Sequence, residues 1–394
     1  MVQINSTVSN FPVYPFAALA AKRREIQSSG KRLFDFSKGD PISPTPEFIR
    51  TALIQAVPTV SQYPAVAGLP ELRSAVADYV KRRFDVSLDP AKEVLHCNGT
   101  KEAIFNLAAT VLGPESPRRI VIGADPSYPV VDRSNLIFGA IPYQIKLSAE
   151  NNFLLDLATV PESILDQTAI VWLNYPNNPT GATCDLEYLR RQVGIAQRHG
   201  ILICSDECYV DIYLGERRPP SALEVSKEGV VVFQSCSKRS GMTGYRSGFI
   251  AGDAAVLKAY LSLRDSVGTE SPVFVQAAAI AAWNDDEHPK VRRSEFREKH
   301  QILTEFFDRV GLEYLRTDAT FYIWLRTPRG ISGIEYSAKL AEHGVLVAPG
   351  EYFGTHCADR VRVALVPSVQ DTREATTVWE QHGLGKRVES CLGN

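Results

Sequence analysis

Apolar positions along the chain fall into two patterns. Short unbroken runs rich in β-branched residues recur at Arg119–Ile122, Ala169–Asn174, Ile201–Asp206 and Val230–Gln234. A strand with one wet face alternates apolar and polar residues, so runs this continuous predict strands covered on both faces, as in a mainly parallel sheet. Between the runs, apolar residues space out at three and four positions. Leu72, Val76, Tyr79 and Val80 share one face of a helix predicted over Leu69–Arg83, and Leu189, Val193 and Ala196 do so over Leu186–His199. Strand alternating with helix predicts an α/β doubly wound layout.

That alternation holds from about Gly39 to Trp283. A polar break follows at Asn284–Pro289, then a charged helix through Arg292 to Val310. Beyond it, short strands at Thr320–Leu325, Val345–Ala348 and Arg360–Val366 mix with helices. The division this predicts is an N-terminal arm and small-domain segment (1–38), a large α/β domain (39–285) and a smaller α+β domain (286–394). No unit of 20 to 50 residues repeats, so a solenoid or propeller is not indicated.

Composition narrows the function classes. The chain has 394 residues, 44% hydrophobic and 22% charged, which is ordinary for a globular protein and unlike a disordered one. Its net charge of −2 offers no basic excess for nucleic acid. The longest apolar run, Val273–Trp283, contains Gln276 and falls far short of the ~20 residues of a membrane span. The first 16 residues lack a basic segment and carry Pro12 and Pro15, against a signal peptide. Seven cysteines without a C-x-x-C pair predict free thiols in a reducing cytoplasm. Cys391 stands fourth from the end, but Gly393 and Asn394 make a poor prenylation signal. The histidines form no H-E-x-x-H pattern, so no metal site is expected.

In open parallel sheets, ligands bind beyond the carboxyl ends of the strands. The polar residues gather there. One run ends in Asn174-Tyr-Pro-Asn-Asn178-Pro179-Thr180-Gly181, the next in Ser205-Asp206-Glu207-Cys208-Tyr209. The last ends in Ser235-Cys236-Ser237-Lys238, followed by Gly244-Tyr245-Arg246-Ser247-Gly248. A surface lysine is ordinarily solvated and inert. Lys238 leaves a buried strand between serines, and a desolvated lysine near other cations has a depressed pKa and can form a Schiff base. Pyridoxal phosphate needs such a lysine, a carboxylate at its ring nitrogen and an anion clamp for its phosphate; Asp206 and Arg246 supply the last two.

These four motifs in this order, with Lys238 32 residues after Asp206 and Arg246 eight after Lys238, resemble the fold-type I pyridoxal-phosphate-dependent aminotransferases of class I/II over nearly the whole chain. The resemblance implies a seven-stranded, mainly parallel sheet sandwiched by helices, with a smaller α+β domain. It implies that Lys238 binds the cofactor and moves the proton, and that Asp206 keeps the ring nitrogen protonated. It implies that Asn178 and Tyr209 hydrogen-bond the ring oxygen. Tyr128, in Asp125-Pro-Ser-Tyr128-Pro, matches the aromatic that stacks on the ring. Asn98-Gly99-Thr100-Lys101 precedes an apolar helix, where freed amides face an anion. Gly99, Thr100 and Lys101 resemble the phosphate binders, with Ser235, Ser237 and Arg246. Tyr63 matches a tyrosine that reaches the phosphate from the partner subunit, implying a homodimer with shared sites.

On the substrate side, Arg362 matches the arginine for the α-carboxylate, with Arg360 the competing choice; a guanidinium fork suits a carboxylate. Gly39 matches backbone beside the substrate, and Tyr14 an arm residue from the partner chain. Closer details, among them Lys238-Arg239-Ser240, Ala281-Ala-Trp283-Asn-Asp285 and Arg360-Val-Arg362-Val, resemble N-succinyldiaminopimelate aminotransferases of lysine biosynthesis. Arg264 falls where dicarboxylate-specific relatives place a partner-subunit arginine for the distal carboxylate; the alternative is a surface helix arginine. The expected reaction moves an amino group between an amino acid, glutamate first among them, and a 2-oxo acid. Specificity for aspartate, alanine or LL-diaminopimelate, and a β-lyase on the same scaffold, stay open.

Overall fold

The computed structural model describes residues 2–11, 16–113, 115–382 and 384. Its strands are β1 (Phe34–Asp35), β2 (Val94–Cys97), β3 (Ile120–Asp125), β4 (Ile141–Lys146), β5 (Thr168–Asn174), β6 (Leu202–Asp206), β7 (Val230–Ser235), β8 (Gly248–Gly252), β9 (Tyr322–Arg326), β10 (Val345–Leu346), β11 (Ala348–Pro349) and β12 (Arg360–Ala364). Seven of them form one sheet in the order β2-β8-β7-β6-β5-β3-β4. The pairs from β7 to β4 are all parallel, and β8 runs antiparallel to both neighbours. The expected mainly parallel seven-stranded sheet is what the chain builds.

The continuous apolar runs arise because both faces are covered. In β5, Ile170 and Trp172 enter one core with Leu95, Ile104, Phe233 and Ile250, whereas Val171 and Leu173 enter the other with Val76, Tyr79, Leu189 and Val193. Each such side chain is worth roughly 1.5–3 kcal/mol once buried, so neither face tolerates a polar residue. The predicted helices form at Pro70–Phe84 and Leu186–Arg198. Proline at the first turn opens the former, where its missing N–H costs nothing. The Asp185 side chain caps the latter by accepting from Tyr188 N at 2.8 Å.

Three strands of this sheet escape the sequence pattern. β4 is an edge strand whose residues are mostly exposed, so it lacks an apolar run. β2 is a short four-residue strand. β8 reads Gly-Phe-Ile-Ala-Gly because its backbone is pressed against β7: a Cβ on Gly252, at φ 137°, would collide with Val230 O. The run Val345–Ala348 is split between two sheets. β10 pairs in parallel with β1, and β11 joins β12 and β9 in an antiparallel sheet.

The smaller sheets pack with the long helix His288–Val310 around Phe296, Leu303, Phe306, Phe307 and Trp379. That helix starts four residues before the predicted Arg292, because Pro289 sits in its first turn, where proline is tolerated. Phe34 and Phe36 from the N-terminal segment, and Tyr209 and Ile212 from the loop after β6, enter this same core. The carboxyl ends of β5, β6 and β7 therefore open where the two parts of the molecule meet. Among the described residues, no helix is long and apolar enough to cross a membrane.

Candidate active site

A cavity of about 430 Å³ opens at that junction. Its wall includes Gly39, Thr100, Lys101, Tyr128, Asn178, Asp206, Tyr209, Ser235, Ser237, Lys238, Arg246 and Arg362. The residues singled out from separate strand ends are thus brought around one space.

Lys238 rides on a single helical turn, Cys236–Arg239, directly after β7. The Ser235 side chain caps that turn, accepting from Ser237 N at 3.1 Å. The Lys238 amine donates to Gly39 O. It is half-buried on the cavity wall, and the desolvation there brings its pKa down to about 8. At neutral pH a usable fraction of the amine is therefore neutral and nucleophilic.

Asp206 ends β6 and is 8% exposed. Its Oδ1 accepts from Cys208 N at 3.1 Å. Burial raises its pKa, and no lysine or arginine among the described residues pairs with it. This is a desolvated carboxylate short of a cation. Asn174 Nδ2 donates to Asp206 O at 3.0 Å, and Asn174 Oδ1 accepts from Asn178 N at 2.9 Å, so the ends of β5 and β6 are tied together.

At the opposite corner stands Arg246, in the left-handed region at φ 56°. Its Nη1 donates to Thr243 O at 2.9 Å. Gly99, at φ 75°, faces it so closely that a Cβ would collide with Arg246 Nη2. Only glycine lets the backbone pass there. Thr100, Lys101, Ser235 and Ser237 line the same cavity, so this corner is rich in hydroxyls and cations.

Arg362 is 3% exposed. Its Nη1 donates to Asn178 Oδ1 at 2.8 Å and its Nη2 to Ser37 O at 2.9 Å, while its Nε is buried without a partner among the described residues. Its guanidinium lies 4.2 Å from the Tyr322 ring centroid and 4.6 Å from that of Phe353. Arg360, the competing choice, pairs with Asp359 at 3.8 Å and does not line the cavity.

Two expected residues, Tyr63 and Arg264, stand elsewhere. Tyr63 is fully exposed and away from this chain's own cavity. Tyr14 lies outside the described residues. Arg264 requires a correction: it has no exposed surface, and it donates to Val66 O at 2.8 Å, His96 O at 2.6 Å and Thr269 O at 3.2 Å, with Glu102 3.5 Å away. A guanidinium enclosed in this way holds loops together and is not presented to a substrate.

Other wall residues have no role assigned by the sequence motifs. Tyr322 hydrogen-bonds Tyr209 through their hydroxyls at 2.9 Å, and a Cβ on Gly39 would collide with its oxygen. Nothing marks it in an apolar strand. Cys208 was in plain view between Asp206 and Tyr209; its Sγ lies 3.1 Å from Thr100 Oγ1. Arg23, on the helix Phe16–Ser28, joins the wall with Lys38 and Asp40. Arg23 Nε donates to Asp35 Oδ2 at 2.6 Å, and Lys38 pairs with Asp40 at 2.5 Å. Burial raises the pKa of Asp40, but hydrogen bonds from Lys38 and Thr243 outweigh it and leave the pKa lowered.

This donor set fits pyridoxal phosphate on three structural grounds. The amine is desolvated, the carboxylate lacks the cation that a ring nitrogen would provide, and the Gly99–Arg246 corner leaves backbone open beside a guanidinium. Comparison with known proteins agrees. The family model for aminotransferase class I and II matches residues 31–377. A relative from Aquifex aeolicus (strain VF5), LL-diaminopimelate aminotransferase, is 37% identical over 382 residues, covering 95% of this chain and 98% of that protein. A crystal structure of an aminotransferase from Neisseria meningitidis Z2491 superposes with a TM-score of 0.88 at 31% identity, covering 96% of this chain and all of that one. A probable N-succinyldiaminopimelate aminotransferase from Thermus thermophilus superposes with a TM-score of 0.86 at 30% identity, covering 93% and 99%.

Proposed function

The chain belongs to the class I and II aminotransferases, a pyridoxal-phosphate-dependent transaminase family, and from that premise we propose that it exchanges an amino group between glutamate and the 2-oxo form of LL-diaminopimelate, serving lysine biosynthesis. The observation that carries the chemistry is the single cavity in which the Lys238 amine stands with Asp206, the Gly99–Arg246 corner and Arg362 around it.

When bound, the cofactor supplies an electron sink at a cationic ring. Each residue then has a task its surroundings suit. Lys238 would hold the cofactor by its amine and would take and return the proton at the substrate Cα. Asp206 keeps the proton on the ring nitrogen, and the cation so gained reverses the burial penalty on its own charge. Asn178 and Tyr209 would hold the ring oxygen and Tyr128 would pack against the ring, all three lining the cavity. Thr100, Lys101, Ser235, Ser237 and Arg246 take the phosphate along the open backbone of Gly99. Arg362 meets the α-carboxylate with its spare Nε and with donors released from Asn178 and Ser37, while Gly39 leaves room for the substrate beside Tyr322.

Two considerations favour LL-diaminopimelate over its N-succinyl derivative. The Aquifex relative carries that name at 37% identity. The cavity wall also carries both signs of charge, Arg23 and Lys38 with Asp40. The far end of diaminopimelate bears an ammonium and a carboxylate, whereas succinylation removes that ammonium and leaves two carboxylates there. Tyr63 sits in a stretch with exposed Ile42, Ile54, Val57 and Val60. An apolar surface of this kind calls for cover, and a second copy placing Tyr63 at the phosphate of its partner provides it.

A substrate panel tests the reading. LL-diaminopimelate, N-succinyl-diaminopimelate, glutamate, aspartate and alanine are each added alone, and loss of the cofactor's absorbance reports amino transfer. Fast conversion by LL-diaminopimelate and glutamate supports it. Fastest conversion by the succinyl compound, aspartate or alanine assigns the substrate differently, and release of a β-substituent without amino transfer contradicts it. Light scattering on active enzyme checks the dimer, which full activity in a monomer would refute.

A further inference from the structure

Directly after Lys238 stands an arginine that no step above uses. Arg239 is 3% exposed, and every N–H of its guanidinium has an acceptor within reach. Nε donates to Asp211 Oδ2 at 2.8 Å. Nη1 donates to Ala282 O at 2.6 Å and lies 3.4 Å from His288 Nε2. Nη2 donates to Asp285 O at 2.9 Å and Asp286 Oδ1 at 3.0 Å. The guanidinium carbon lies 5.0 Å from the Tyr79 ring centroid and 5.1 Å from that of Trp283. The next two residues are seated on the same segment. Ser240 Oγ is 2.9 Å from His288 Nε2, and Gly241 lies so close to Arg292 that a Cβ would meet its Nη1 at 2.7 Å. Three consecutive residues behind Lys238 are thus gripped by the opening turns of the His288–Val310 helix and the loop before it.

A second arm runs back toward the sheet. Asp211 also accepts from Arg83 Nε at 2.9 Å and lies 3.0 Å from the Tyr79 hydroxyl. That hydroxyl is equally 3.0 Å from Gln234 Oε1, and Gln234 Nε2 donates to Glu207 Oε2 at 3.0 Å. Glu207 Oε1 accepts from Ser205 Oγ at 3.0 Å and Ala222 N at 2.8 Å. Gln234 immediately precedes Ser235, and Glu207 immediately follows Asp206. The network therefore touches the chain neighbours of Lys238, Asp206 and Ser235, while none of its side chains lines the cavity. Buried ion pairs of this kind add little net stability over apolar packing of the same shape, but displacing one partner leaves the other charge buried and unpaired, so the arrangement resists change; the one Tyr79 hydroxyl proton is shared between Asp211 and Gln234.

We propose that Arg239 is a positioning residue for the transfer reaction. It fixes the helical turn carrying Lys238 and, through Asp211, Tyr79, Gln234 and Glu207, keeps that turn in register with Asp206 and Ser235, resting on Lys238 as the cofactor lysine. A lysine in its place keeps one charge but loses the planar five-donor fork.

The test compares holoenzyme of wild type, Arg239→Lys and Tyr79→Phe, the last removing only the hydroxyl between Asp211 and Gln234. Thermal unfolding shows that each variant is folded, and borohydride reduction with peptide mapping shows which lysine holds the cofactor. The readouts are the pH midpoint of the bound cofactor's absorbance, kcat and KM. In Arg239→Lys, kcat falls on the order of tenfold with KM within about twofold, and the midpoint moves by about half a pH unit or more. Tyr79→Phe moves both in the same direction by less. Wild-type kcat and midpoint in folded Arg239→Lys, whatever its melting temperature, overturn the proposal. If that variant does not fold, wild-type values in Tyr79→Phe overturn it. A wild-type cofactor mapped to another lysine removes the assignment of Lys238, and this role with it.

Discussion

The two ends of the cavity are built in opposite ways. The end around Lys238, Asp206 and Arg246 comes from one sheet: β6, β7 and the loop before β8 deliver their residues within a few positions of a strand terminus. The end around Arg362 is assembled from the helix Phe16–Ser28, the segment Ser37–Asp40 and the paired strands β9 and β12 of a smaller sheet, segments that lie far apart along the chain. A site fixed by one sheet is rigid and uniform. One stitched from four segments can be altered piece by piece, which suits cofactor binding at the first end and substrate choice at the second.

Substitutions at each end sharpen that contrast. Asp206→Ala keeps the fold and some cofactor but loses turnover by ~10² or more, since the ring nitrogen then lacks its carboxylate. Single-turnover kinetics with saturating glutamate measure this; a near wild-type rate would erase the division of labour. Arg362→Lys has a smaller effect. A charge-assisted hydrogen bond to a carboxylate is worth about 1.5–3 kcal/mol, so losing the fork lowers kcat/KM by roughly tenfold to a hundredfold, mostly in KM. Cofactor affinity stays unchanged by absorbance titration, and a lost cofactor would place Arg362 at the wrong end. Arg23→Gln has the mildest effect. Its pair with Asp35 is partly exposed, so KM for diaminopimelate rises a few-fold, in keeping with the modest worth of such pairs, while KM for alanine holds. An equal rise for both substrates would mean that Arg23 only anchors its helix.

The same contrast explains what the sequence discloses. The sheet end is written in contiguous stretches, such as Ser205–Tyr209 and Ser235–Lys238, because each residue's place follows from being next to a buried strand. The substrate end is not. Arg362 stands out only within Arg-Val-Arg-Val, and Tyr322 and Arg23 have no local signal because their roles come from residues far away along the chain. Arg264 misleads for the same reason: its helix looks like a surface one, and only the loops bearing Val66, His96 and Thr269 reveal that it is enclosed. Among the strands, β5, β6 and β7 are legible because both faces are buried. β4 is not, because one edge meets water, and β8 is not, because close backbone packing demands glycines at its ends.

The central claim is that Lys238 is a desolvated amine poised to take pyridoxal phosphate. Only the neutral amine reacts, so uptake follows the amine's own titration. Burial lowers the Lys238 pKa to about 8, from an ordinary lysine value of 10.5. The measurement is the rate of pyridoxal phosphate uptake by apoenzyme across pH 6 to 11, with the product reduced by borohydride and mapped. The expected result is a rate that rises through a midpoint near pH 8 and a single adduct on Lys238. A midpoint near that of a free lysine, or an adduct on any other residue, would contradict it.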